Sequence, residues 1–144
     1  MKVLMAVLAG TLFFSIVVGA EPPNQDKRSS TAMRKAVFHV NFADSERQEH
    51  ALGNIENIVK EVPAAQIEVV CHGKGLGLVV QKETKHSEKL AALIKQGVRF
   101  VGCENTMRKS ALNKAALVAG VTTVSSGAVE VLRKQQEGYG YFRP

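Results

Sequence analysis

The feature that most restricts how this chain can fold is an alternation that begins at Lys35 and runs to the C-terminus. Short β-branched and aromatic runs are each followed by a longer stretch with apolar residues at helical spacing. Parallel βα units demand this order, because two parallel neighbours are joined only by a crossover that returns the chain to its starting edge.

Taken in order, Lys35 to Phe42 (KAVFHVNF) predicts the first strand. Ser45 to Glu61 predicts a helix with Leu52, Ile55, Ile58 and Val59 inward. Asp44 or Ser45 is placed to cap it, and Pro63 stops it because proline has no N–H for a further turn. Gln66 to Cys71 (QIEVVC) is the second strand, and His72-Gly73-Lys74-Gly75 turns out of it. Leu76 to Val80 reads equally as a short helix or an extended run. Ser87 to Gln96 is helical and ends at Gly97, and Val98 to Cys103 (VRFVGC) is the third strand. A helix is expected from about Met107 to Ala116, capped by Asn105 or Thr106, and Val121 to Ser125 is the fourth strand. A helix carrying Ala128, Val129, Val131 and Leu132 follows, and Tyr139 to Phe142 is a last short strand. The sum is an α/β domain of about five strands and four helices around a mostly parallel sheet.

Residues 1–34 read differently. Lys2 precedes an uncharged run from Val3 to Val18, and Val18-Gly19-Ala20 puts small residues before Glu21. That is the pattern of a secretory signal peptide cleaved after Ala20; the competing reading, a retained anchor, would sit near the lower length limit of about 17 residues for a spanning helix. Residues 21–34 (EPPNQDKRSSTAMR) have no apolar period and predict a flexible linker. The expected organisation is therefore a leader over 1–20, a linker over 21–34 and one domain over 35–144, in a periplasmic or secreted protein with no membrane association once the leader is removed.

The net charge of +6 comes from scattered Lys and Arg residues with no interleaved aromatics, so a base-stacking nucleic-acid surface is excluded. Lys82, Lys85 and Lys89 stand at helical spacing as a candidate basic stripe, which is usually a solvated face. His39 alternates with Val37 and Asn41 on the first strand, where a hydrogen-bonded core histidine is the expected role.

The two cysteines, Cys71 and Cys103, each end a predicted strand. In an open parallel sheet, ligands bind beyond the carboxyl ends of the strands, so both thiols are expected at the functional edge. Cys103 precedes a helix whose first N–H groups favour thiolate, and Arg108 and Lys109 add positive charge nearby, whereas Glu104 opposes it. Four outcomes stay open: a reactive Cys103, two buried hydrophobes, a disulfide if the Cα atoms lie within roughly 7 Å, or a soft-metal site with His72. No Cys-x-x-Cys is present, which removes a thioredoxin-like centre. The Gly73-Lys74-Gly75-Leu76-Gly77 turn lets backbone amides approach an anion, but it is neither GxGxxG nor a P-loop, and a tight turn needing positive φ explains it as well. Ser125-Ser126-Gly127 opens another helix on the same edge, without a base for a serine nucleophile. Cys103 and Cys71 are thus the candidate reactive residues, with His72, Gly73, Gly75, Asn105, Thr106, Ser126 and Gly127 as candidate binding residues; no cofactor and no resident metal is assigned.

Three strings, VVCHGKGLGLV from Val69, GVRFVGCENTM from Gly97 and SSGAVEVLRKQQEGYGYFRP from Ser125, each fall at a strand-to-helix junction. In this order they resemble the DsrE/DsrF-like family, in its small exported branch, over nearly all of residues 35–144. The resemblance implies a three-layer α/β/α domain related to flavodoxin-like folds, often homo-oligomeric. It also implies sulfur carried as a cysteine persulfide in a sulfur relay, with Cys103 at the matching position and a sulfur donor or acceptor protein as partner. The contrasting expectation is a non-catalytic homo-oligomeric ligand-binding or interaction module with structural cysteines.

Overall fold

The computed structural model describes residues 35–144; the leader and linker expected over 1–34 lie outside the described residues. Five strands form one parallel sheet: β1 (Lys35–Val40), β2 (Gln66–Cys71), β3 (Arg99–Cys103), β4 (Thr122–Val124) and β5 (Gly140–Phe142). Their spatial order is β4-β3-β2-β1-β5. Four α-helices connect them: α1 (Ser45–Glu61), α2 (Ser87–Lys95), α3 (Glu104–Lys109) and α4 (Gly127–Gln136), with 3-10 turns at Gly73–Val79 and Lys114–Ala116.

Strands β1 to β4 step in one direction, so their right-handed crossovers put α1, α2 and α3 on one face. The step from β4 to β5 runs back across the whole sheet and puts α4 on the other. The core follows this asymmetry. The larger cluster holds Phe38, Leu52, Ile55, Val69, Cys71, Leu90, Leu93, Phe100 and Met107, while the α4 side has only Val37, Val70, Val101 and Val131 fully packed. Three layers result, the third made by a single helix.

Local signals explain most boundaries. The Asp44 side chain accepts the Arg47 N–H at 2.7 Å and starts α1. The expected helix over 107–116 is corrected: α3 begins directly at Glu104 and ends at Lys109, after which Ala111 takes φ 52°. Asn113 then accepts the Ala115 N–H at 3.0 Å and starts the 3-10 turn instead of continuing α3. The ambiguous run after β2 is 3-10, opened by Gly73 at φ 54°. The lysine stripe is also corrected, because Lys82 and Lys85 lie in the turn before α2 and only Lys89 is helical. Lys89 pairs with Glu49, and with Glu56 at 3.4 Å, tying α2 to α1.

Candidate functional site

Parallel strands deliver their C-terminal residues to one edge, and alternation sorts them between faces. Cys71 is paired in register with Gly102, so Cys103 lies one step further along β3 and on the opposite face. The structure therefore brings both cysteines to the same edge but does not bring them together. Cys71 is fully buried in the larger core, and burial pushes its thiol far above the usual range. Both cysteines are free, and pleating explains why they form no bridge.

Cys103 occupies the N-cap position of α3 and is 4% exposed. Burial alone would raise its pKa, yet hydrogen bonding from the Gly127 N–H, the Thr106 hydroxyl and the N–H groups of Thr106 and Asn105 outweighs it and holds the thiol below its ordinary value. These donors come from two segments, the starts of α3 and α4. The Thr106 hydroxyl oxygen also accepts the Gly73 N–H at 3.0 Å, so the glycine-rich turn is fastened to the same centre. The Asn105 N–H also reaches the Ser125 carbonyl at 3.2 Å, which locks the two helix starts together.

The Glu104 charge, which the sequence sets against the thiolate, is paired on its other side. Its carboxylate accepts the Thr123 hydroxyl at 2.7 Å and pairs with Lys114 at 3.2 Å, which keep it below the usual carboxylate range. Arg108 is engaged with the Asn105 side chain. The donors that act on the sulfur are thus mainly backbone amides and one hydroxyl.

His72 continues β2 through its N–H to the Val40 carbonyl at 3.1 Å, and it faces the α4 side. A side chain on Gly127 would meet the His72 Cβ at 2.9 Å, so glycine there lets the imidazole lie against the start of α4. His72 Nε2 stands 2.5 Å from His39 Nε2, with the ring planes 13° apart and the centroids 4.8 Å apart, and His39 Nδ1 is 2.7 Å from the Tyr141 hydroxyl. Burial first, then His72 and Arg143, lower the pKa of His39; burial lowers that of His72. Both shifts favour the neutral imidazole. A Cβ on Gly75 would fall 2.2 Å from the Val40 carbonyl oxygen, so glycine there permits close backbone packing. Ser126 precedes α4 without a side-chain cap bond.

A family model described as DsrE/DsrF-like family matches residues 13–144. The chain belongs to the DsrE/DsrF-like family. Among solved structures, this DsrE/DsrF-like chain is similar to the protein of unknown function MTH1491 from Methanobacterium thermoautotrophicum, at 35% identity and TM-score 0.72, over 76% of this chain and 97% of that one. It is also similar to the ychN protein from E. coli, at 15% identity and TM-score 0.69, over 78% of this chain and 100% of that one, a likeness that shows the fold. A search of curated proteins returns no match.

Two residues of this candidate site were missed by sequence reasoning: His39, expected in a core role, and Tyr141, expected only as part of the last short strand. The alternation Val37-His39 on β1 was the available signal, since it sets His39 on the face that α4 leaves thinly covered. Nothing in the sequence pairs Tyr141 with it before the β1–β5 register is known. Among the described residues, no group of three metal-ligating side chains converges, and no helix is long and apolar enough to cross a membrane.

Proposed function

We propose that this protein is an exported sulfur carrier in which Cys103 accepts a sulfane sulfur as a persulfide and passes it to a partner protein. The observation that carries the reading is the Cys103 sulfur held by amide and hydroxyl donors from two helix starts, with its pKa lowered despite near-complete burial. A persulfide is also an anion at its outer sulfur, so the same donors suit the loaded form. The family's association with sulfur relay points the same way. Cys71, neutral and enclosed on the other face, has a packing role. Export rests on the leader pattern of residues 1–20.

Intact-mass spectrometry of the full chain expressed with its N-terminus tests this reading. The mature protein starts at Glu21 and gains about 32 Da, one sulfur atom, on Cys103 after exposure to a sulfane donor. Cys103→Ser abolishes the gain and Cys71→Ala keeps it. No gain in the wild type, or a gain on Cys71 alone, refutes the assignment.

Self-association belongs to the same reading. Val129 and Leu132 on α4 are 61% and 56% exposed, and Phe142 on the edge strand β5 is 41% exposed. All three lie on C-terminal elements, where a second copy would cover apolar surface. Light scattering is expected to return a multiple of the monomer mass, reduced by Leu132→Lys; a monomeric wild type rules it out.

A further inference from the structure

Cys103 loses a proton on becoming a nucleophile, and the thiolate that leaves the donor gains one. A site that covers its sulfur this closely needs a route for that proton. Continuing the β2–β3 register one step past Cys71–Gly102 sets His72 beside Cys103 on the α4 face; a Cβ on Gly127 would stand 3.1 Å from the His72 Cγ, and the Gly127 N–H serves the sulfur. From His72 the polar atoms continue without a gap: 2.5 Å to His39 Nε2, then 2.7 Å from His39 Nδ1 to the Tyr141 hydroxyl. Tyr141 is 46% exposed, so the line ends in solvent. Its inner end is His72 Nδ1, which has no hydrogen-bond partner among the described residues.

We propose that His72, His39 and Tyr141 form a proton relay for sulfur transfer at Cys103, with His72 as the group that exchanges protons with the reacting sulfurs. This rests on the sulfur-carrier reading and adds its acid–base component. An N···N separation this short holds a single proton, donated by one imidazole and accepted by the other. Two neutral arrangements satisfy every contact. In one, His72 Nδ1 is bare, His72 Nε2–H donates to His39 Nε2, and His39 Nδ1–H donates to the Tyr141 oxygen. In the other, Tyr141 O–H donates to His39 Nδ1, His39 Nε2–H donates to His72 Nε2, and His72 Nδ1 carries a proton.

The first arrangement takes the proton from Cys103 S–H to His72 Nδ1 through one bridging water, shifts one proton along each contact, and releases one from the Tyr141 hydroxyl to solvent. The thiolate attacks the outer sulfur of a persulfide donor R–S–SH. The Cys103 S–S bond forms, the donor S–S bond breaks, and R–S⁻ departs with the electron pair. The second arrangement then returns a proton from His72 to R–S⁻, and Tyr141 recovers one from water. Overall, Cys103–SH and R–S–SH become Cys103–S–SH and R–SH, with no oxidant or reductant required.

The test is single-turnover transfer from glutathione persulfide to the reduced full-length protein, read by mass spectrometry in H₂O and D₂O, with iodoacetamide alkylation at high pH as a separate measure of an intact, accessible Cys103. The wild type is expected to show a solvent isotope effect. His72→Gln and His39→Gln lower the transfer rate about tenfold or more and lose the isotope effect, with unchanged alkylation. Tyr141→Phe, an exposed and conservative change, slows transfer less and weakens the isotope effect. Transfer at the wild-type rate with the wild-type isotope effect in His72→Gln or Tyr141→Phe overturns the relay while leaving the carrier reading intact. A wild type that takes up no sulfur overturns both.

Discussion

Cys71 and Cys103 end neighbouring strands, and their chemistry diverges because the pleat turns one into the aliphatic core and the other toward the starts of α3 and α4. Backbone N–H groups and the Thr106 hydroxyl surround only the second. Thr106→Val keeps the shape and removes one charge-assisted hydrogen bond to sulfur, so Cys103 alkylation at neutral pH is expected to slow about tenfold, since such bonds are worth roughly 1.5–3 kcal/mol. Competitive labelling across pH measures this, and Cys71 stays unlabelled until the chain is unfolded. An unchanged rate would show that the amides alone hold the thiolate. The position of Cys103 was legible from its place at the end of a predicted strand, since that place alone puts it at the carboxyl edge of the sheet. The His39–His72–Tyr141 line was not, because residues so far apart in sequence meet only through strand order and register.

At the level of elements, the segments whose ends carry their own chemistry were readable. Helix α1 spans Ser45–Glu61 as expected, because Asp44 caps it and Pro63 blocks extension. Strand β2 coincides with Gln66–Cys71 because both of its faces are covered and Gly73 turns the chain immediately afterwards. Helix α3 was misread for an identifiable reason: Leu112 and Ala115 continue a helical period past Lys109, whereas Ala111 in the left-handed region and the Asn113 cap break it. The correction bears on function. A helix starting after Thr106 would have spent Asn105 and Thr106 as caps; starting at Glu104, it turns their N–H groups toward Cys103, that of Asn105 being shared with the Ser125 carbonyl. Helix α4 was legible as a helix, yet its outer face was not, because the composition of Val129 and Leu132 resembles that of core residues and only the topology exposes them.

Across the whole molecule, the face that carries the site depends on α4, and beneath the C-terminal half of that helix lies a buried charge cluster. Glu68 on β2 has a side chain 3% exposed; its Oε2 reaches Arg99 at 3.3 Å and Lys134 at 3.5 Å, while Oε1 has no hydrogen-bond donor. Glu130 is paired with Arg133, Lys134 with Glu137, and the Tyr139 ring lies under Lys134 and Lys35. Burial first, and then the neighbouring Glu130 carboxyl, push Glu68 up to about 7, whereas Arg133 and the shared proton keep Glu130 low despite its burial. The pair thus holds one proton, on Glu68, at mildly acidic pH. The folded protein retains that proton between the ordinary carboxyl value of 4.5 and about 7, a range in which the unfolded chain has released it. The stability tied to Glu68 is therefore complete below the lower value and lost as pH rises through the upper one. Glu68→Gln mimics the protonated form at every pH. In urea titrations at pH 5 and pH 8, the wild type is expected to lose more stability than Glu68→Gln on going to the higher pH, by on the order of 3 kcal/mol from the size of the shift. His39 and His72, lowered in the folded state, give the opposite slope, but they do so in both proteins, so the difference between the two isolates Glu68. Parallel pH profiles would mean that Arg99 and Lys134 fully compensate the buried charge, and that the docking of α4 over Cys103 is indifferent to pH.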